Sequence, residues 1–234
     1  MKRIYNLDKI RGLTIISMVL FHLMYNINFY RRITRYDDTI LNRIWQLSIA
    51  LSFFLISGIT SNLLKAEENI KRGILTSFIG LGISFITYFF ARDQLIIWGV
   101  MNGLGLSMII GGMIQKRFNL HLVFNPIFLF LFALTYNIPR FILDNIKIFD
   151  HMYSNNFFIL GFPSRDFISA DYFPIIPWIF AYLAGVSLGN HLKTNNFYYW
   201  QGKDNTLAMI GRNSMAIYLT HQIILYPLVS FFLS

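Results

Sequence analysis

Residues 8–22 read DKIRGLTIISMVLFH. The stretch begins as a polar helix end and turns at once into an unbroken apolar run, yet it carries Arg11 at one end and His22 at the other. A run of this length is what the bilayer core demands of a helix, about 20 apolar residues. Over 11 positions at 3.6 residues per turn, Arg11 and His22 return to one face within roughly 20°, about 16 Å apart along the axis. Asp8 lies one turn before Arg11 on nearly the same stripe, positioned to pair with it. Ionisable groups inside a span are costly, face protein or a water-filled cavity, and mark functional sites.

The remainder of the chain has the same character. Hydrophobic residues make up 55% of the 234 and charged residues only 13%, with a mean hydropathy of +0.50. Soluble domains carry about 25% charged residues, so the deficit assigns the chain to the membrane. Apolar runs near 10–28, 44–64, 73–90, 95–114, 120–137, 173–190 and 206–232 predict an all-α polytopic transmembrane bundle of about seven spans in one domain, 1–234. The runs are too long, and lack the two-residue alternation, for barrel strands. No small-x-small site follows residues 21–26, which predicts an uncleaved first span.

The 20 Lys and Arg residues lie in short connections. With the N-terminus in the cytoplasm, 12 fall inside (Lys2, Arg3, Lys9, Arg11, Lys65, Lys71, Arg72, Lys116, Arg117, Lys193, Lys203, Arg212) and 8 outside (Arg31, Arg32, Arg35, Arg43, Arg92, Arg140, Lys147, Arg165). This bias predicts a cytoplasmic N-terminus. It also accounts for the net charge of +9 without a nucleic-acid partner. The longest polar connection, about 138–172, then faces outward, and loops of that length are commonly functional.

Cysteine is absent, which excludes disulfides, thiolate metal sites and a cysteine acyl-enzyme. His121 and His151 have no neighbours at a metal-ligand spacing, so no metal is expected. Gly99, Gly103, Gly105, Gly111 and Gly112 crowd one span and suit close helix packing. They do not form a phosphate loop. Near the end of the chain, Ser214 and His221 are seven apart and share a helical face, with Arg212 opposite His221. His221 is either a second acid/base group or a polar bridge between helices. Ser214 suits a packing seam. Asp171, just before Tyr172-Phe173-Pro174, is either an N-cap to the following helix or a group at the outer mouth of a site. Trp178 reads as an interfacial aromatic or as a sugar platform.

Four ordered blocks resemble one family. DKIRG at 8–12 followed by His22, FFLISG at 53–58, SADYFPIIPW at 169–178 and GRNSMAIYLTHQ at 211–222 are similar to blocks of the catalytic domain of heparan-alpha-glucosaminide N-acetyltransferase and its small bacterial relatives. The Arg–ten residues–His spacing also resembles that of membrane acyltransferases that O-acetylate bacterial glycans. The resemblance implies a multi-pass protein of the bacterial inner membrane. It would move an acetyl group from cytoplasmic acetyl-CoA to a sugar or other envelope acceptor, with the bilayer, acyl-CoA and a second copy of the chain as partners. Arg11, Lys9 and Arg212 would meet the phosphates of the donor, Asp8 would hold Arg11, and His22 would act as base or carry the acyl group. The chain departs from the family where Asn102 stands in WGVMN, in place of the His of FGILH. No His occurs in 29–43, so heparan specificity does not carry over. Two other readings fit the same stripe: a small-solute transporter, which would move solute without consuming thioester, and an inactive paralogue, which would not bind acyl-CoA.

Overall fold

The computed structural model describes residues 3–31, 39–196 and 201–233. Lys2, Arg32 and Arg35 of the charge-bias reading lie outside the described residues. Among the described residues the chain forms nine α-helices: α1 (Tyr5–Tyr30), α2 (Ile40–Ser61), α3 (Ala66–Phe90), α4 (Val100–Gln115), α5 (Asn125–Thr135), α6 (Lys147–Ser154), α7 (Ile175–Thr194), α8 (Thr206–Arg212) and α9 (Ser214–Leu233). Six stretches are long and apolar enough to cross a bilayer, namely α1, α2, α3, 122–140 around α5, α7 and α9, and α4 is a shorter apolar helix. The protein is an all-α multi-pass membrane bundle; among the described residues six of the seven predicted spans are long enough to cross, and the run at 95–114 becomes the shorter helix α4.

Two boundaries differ from the sequence reading for physical reasons. The run predicted to start at 95 does not become helical until Val100, because 95–98 pairs with 170–173 as extended chain. The N–H of Ala170 donates to Leu95 at 2.8 Å, that of Phe173 donates to Trp98 at 2.9 Å, and Trp98 and Tyr172 form a parallel bridge. The run predicted at 206–232 is two helices broken at Asn213, whose side-chain amide donates to the Met209 carbonyl at 2.9 Å. Local bonding of this kind is how Asn competes with helix continuation. The break cancels the expected angular relation of Arg212 to His221, since the two residues sit on different helices.

The chain divides into two compact units, Met1–Phe53 with Asn196–Ser234, and Phe54–Asn195. In the first, α1 packs against α8 and α9 around Ile15, Met18, Phe21 and Ile49, with Trp45, Ile210 and Ile217 beside them. The half-buried Trp45 indole donates to Ser17 Oγ at 2.8 Å, the usual arrangement for an indole N–H removed from water. In the second unit glycines set the helix approaches. A Cβ on Gly105 would meet Ser77 and Gly73 of α3, and one on Gly111 would strike the Tyr182 ring of α7. Bare backbones at such crossings let helices gain dispersion contact where no hydrophobic drive exists between them. Asn69 of α3 donates to Tyr182 Oη at 2.9 Å, and Gln115 of α4 donates to Ser61 Oγ of α2 at 3.0 Å. With the Asn69 Nδ2–H donating also to Gln115 Oε1 at 3.4 Å, these bonds tie four helices together through side chains that lipid could not satisfy. Leu75, Phe78, Phe85 and Phe89 of α3 and Phe130 and Leu134 of α5 are exposed, as lipid-facing side chains are.

The 138–172 connection has a core of its own. Ile138, Tyr153 and Phe162 are buried together, and the Tyr153 hydroxyl donates to the Ile138 carbonyl at 2.5 Å.

Candidate functional site

The polar stripe of α1 ends in a cluster of imidazoles and amides inside the first unit. Helical spacing places Asn26 one turn beyond His22 on the same face. Across from them α9 presents His221 and Gln222. The His22 and His221 rings lie 4.8 Å apart between centroids, tilted by 54°. Asn26 Nδ2 donates to Gln222 Oε1 at 2.9 Å, and Gln222 Nε2 lies 3.0 Å from His22 Nδ1.

These contacts fix which nitrogens carry protons. Gln222 Nε2 can only donate, so His22 Nδ1 holds the lone pair and the proton of the neutral ring is on Nε2. His221 is the reverse. Its Nδ1 lies 2.6 Å from the Tyr218 carbonyl oxygen, which can only accept, so the proton is on Nδ1 and the lone pair on Nε2. That Nε2 is buried and has no hydrogen-bond partner among the described residues. Neutral imidazole has one donor and one acceptor nitrogen, and here the two rings use opposite ones. The pair therefore offers an N–H on one ring and an unengaged base on the other.

At the other end of the stripe the charges gather. Asp8 is buried and shared between two guanidiniums, with Arg3 Nε at 2.8 Å and Arg11 Nη1 at 3.8 Å. The expected Asp8–Arg11 pair exists, but Arg3 makes the closer contact. Arg212 Nη1 donates to Asp204 Oδ1 at 2.6 Å, and that hydrogen bond holds the Asp204 carboxyl below the usual carboxylate range. Lys9 lies half-buried in the same first turns of α1. Arg3, Lys9, Arg11 and Arg212 thus gather with Asp8 and Asp204 at one end of this unit.

The remaining sequence candidates belong to the second unit, apart from Ser214, which opens α9. Asp171 caps α4 instead of α7. Its Oδ2 accepts from the Val100 N–H at 3.0 Å, while the residue before α7 is Pro174. Trp178 is neither interfacial nor a sugar platform, because it is buried among Phe54, Phe132 and Phe173. Asn102 is 1% exposed, packs on Gly80, and has both amide atoms without a partner among the described residues. Gln222 and Asn26 were not singled out from the sequence, although the four-residue step from His22 to Asn26 was a readable signal.

The cap carries a pH prediction. Desolvation pushes the Asp171 carboxyl up to about 6, with the Val100 N–H opposing the shift. A raised folded-state pKa means that the folded chain holds a proton the unfolded chain has released, so stability declines as pH rises from the ordinary value through 6. Asp171→Asn keeps an acceptor for Val100 and removes the titration. Its melting temperature is expected to change less than that of wild type between pH 4.5 and 7.5 (about the window that linkage assigns to this group), as measured by thermal unfolding in detergent. Equal slopes in the two proteins would refute the assignment.

Comparison with curated proteins and with solved structures finds no match. A family model described as heparan-alpha-glucosaminide N-acetyltransferase, catalytic, matches residues 3–223, a range that takes in both the α1 stripe and the His221–Gln222 pair, and the chain therefore belongs to that family of membrane acyltransferases.

Proposed function

We propose that the protein transfers an acetyl group from acetyl-CoA, bound at the cationic end of the α1 stripe, to a hydroxyl or amine of an envelope glycan or similar acceptor, with His22 and His221 as the reaction centre. The family uses acetyl-CoA as its donor in general. The observation that carries the proposal is the imidazole pair of opposite tautomers, 4.8 Å apart, whose His22 lies on the helix that also carries Asp8 and Arg11 of the Arg3–Asp8–Arg11 cluster. The excess of cations over carboxylates in this cluster suits the phosphates of the donor, and guanidiniums bind such oxygens in bidentate fashion. Three helical turns, about 16 Å, separate Arg11 from His22, a span that a pantetheine arm can cover.

The acceptor O–H or N–H attacks the thioester carbonyl carbon. The new C–O or C–N bond forms as the C–S bond breaks. The acceptor proton passes to His221 Nε2, whose lone pair is unengaged, and from there to the departing thiolate. His22 Nε2–H donates to the carbonyl oxygen as negative charge develops, a stabilisation that acts chiefly in the transition state. A cytoplasmic N-terminus puts donor binding on the inner side of a bacterial inner membrane, with the acceptor entering from the other side.

The test is release of free thiol from acetyl-CoA by purified protein in nanodiscs, with and without candidate acceptors. Acceptor-dependent thiol release is the expected result. Solute flux without thioester consumption would replace this reading with the transporter. Arg11→Gln is expected to raise KM for the donor about tenfold while leaving kcat near wild type, since loss of ground-state binding reads out in KM alone. An unchanged KM would move donor binding away from Arg11.

A further inference from the structure

The structure assigns Gln222, held by Asn26, as the positioning residue that locks His22 in the Nε2–H tautomer and so divides the donor and base roles between the two histidines. The inference starts from a chain of three groups, each with one direction. Asn26 is 3% exposed and donates its Nδ2–H to Gln222 Oε1 at 2.9 Å. With its oxygen so engaged, Gln222 presents only its NH2 to His22 Nδ1, at 3.0 Å. A ring nitrogen facing a donor must keep its lone pair, so the His22 proton resides on Nε2. No charged group is needed. Two amides transmit the polarity of Asn26 through Gln222 to the imidazole.

His221 is locked by a different partner, the Tyr218 carbonyl at 2.6 Å, one turn back on its own helix. That lock is backbone and invariant to side-chain replacement, whereas the lock on His22 can be reversed. Gln222→Glu places a carboxylate, an acceptor only, against His22 Nδ1 and draws the proton there. Asn26→Asp puts an acceptor in place of the Asn26 Nδ2 donor, facing Gln222 Oε1. The Gln222 amide must then turn over, giving its NH2 to Asp and its oxygen to His22, which again demands Nδ1–H. Two chemically distinct changes, one of them not touching His22, are thus predicted to produce the same reversal.

The effect on turnover rests on the acyl-transfer reading above, whereas the tautomer does not, so the two are measured separately. The protein has five histidines, and two-bond 15N–1H correlation spectra of 15N-histidine-labelled protein in nanodiscs resolve their tautomers, with His22→Gln identifying the His22 signals. The wild-type spectrum is expected to show His22 as Nε2–H and His221 as Nδ1–H. In Gln222→Glu and in Asn26→Asp, His22 is expected as Nδ1–H and His221 unchanged. Thiol release is expected to fall at least tenfold in kcat, with donor KM held within twofold. A wild-type His22 carrying its proton on Nδ1 overturns the proposal even if neither variant folds. So does an unchanged His22 tautomer in both folded variants. Reversal of the tautomer at undiminished kcat would leave the lock standing and overturn the role of His22 as hydrogen-bond donor in the reaction.

Discussion

His221→Ala is expected to lower kcat for acyl transfer by about 10²–10⁴-fold, the range that a positioned general base contributes. Donor KM should stay close to wild type, because the cationic cluster proposed to bind the donor includes no part of α9. The assay is thiol release at saturating acetyl-CoA, with circular dichroism and melting to confirm the fold. His22→Ala should give a comparable loss, and the double variant should be little worse than either single one, since groups acting on one transition state are strongly non-additive. The glutamine variants separate the two roles. His22→Gln retains an N–H donor and should recover part of the activity lost in His22→Ala. His221→Gln supplies no base and should recover none. Undiminished turnover in His221→Ala would remove His221 from the mechanism, and equal rescue by glutamine at both positions would refute the division of labour.

The outline of this site was legible in the sequence, and its polarity was not. Periodicity alone puts Asp8, Arg11 and His22 on one face of α1, because a helix that spans the bilayer has a fixed pitch. The spans themselves were legible because bilayer thickness imposes a minimum apolar run. What periodicity cannot supply is the partner of each side chain. Gln222 is separated from His22 by 200 residues, and only the packing of α1 on α9 brings them together. The same limit explains the late start of α4, whereas the break at Asn213 is local. Leu95–Trp98 is as apolar as a helix start, and its extended form depends on a distant segment, Ala170–Phe173. Trp178 was misread for a related reason. Tryptophan favours membrane interfaces on average, but here three phenylalanines of the same unit enclose it.

Helix packing and the proposed donor site meet at the crossing of α1 and α8, where Gly211→Ala is expected to destabilise the protein severely. A Cβ on Gly211 would run into the Asp8 carbonyl oxygen and lie 2.7 Å from its carbonyl carbon and 2.8 Å from the Gly12 nitrogen. The partner position is equally closed, because a Cβ on Gly12 would strike the Leu207 carbonyl oxygen. Backbone meets backbone here, so no rotamer change can make room, and the helices must separate. Overpacking of this kind costs about 1–3 kcal/mol where side chains can adjust, and occasionally more; an unyielding carbonyl puts this site at the upper end. Thermal unfolding in detergent should show a melting temperature lowered by several degrees or loss of the folded species. Gly82→Ala is the control. A Cβ there meets nothing within 4 Å, and in a helix interior alanine is favoured over glycine by about 0.5–1 kcal/mol, so melting should be unchanged or slightly raised. Any Gly211→Ala protein that folds should also bind the donor more weakly, because separating α8 from α1 carries Arg212 away from Arg3 and Arg11. A Gly211→Ala protein that melts with wild type would show that α1 and α8 do not cross at these two glycines, and would detach Arg212 from the donor site with them.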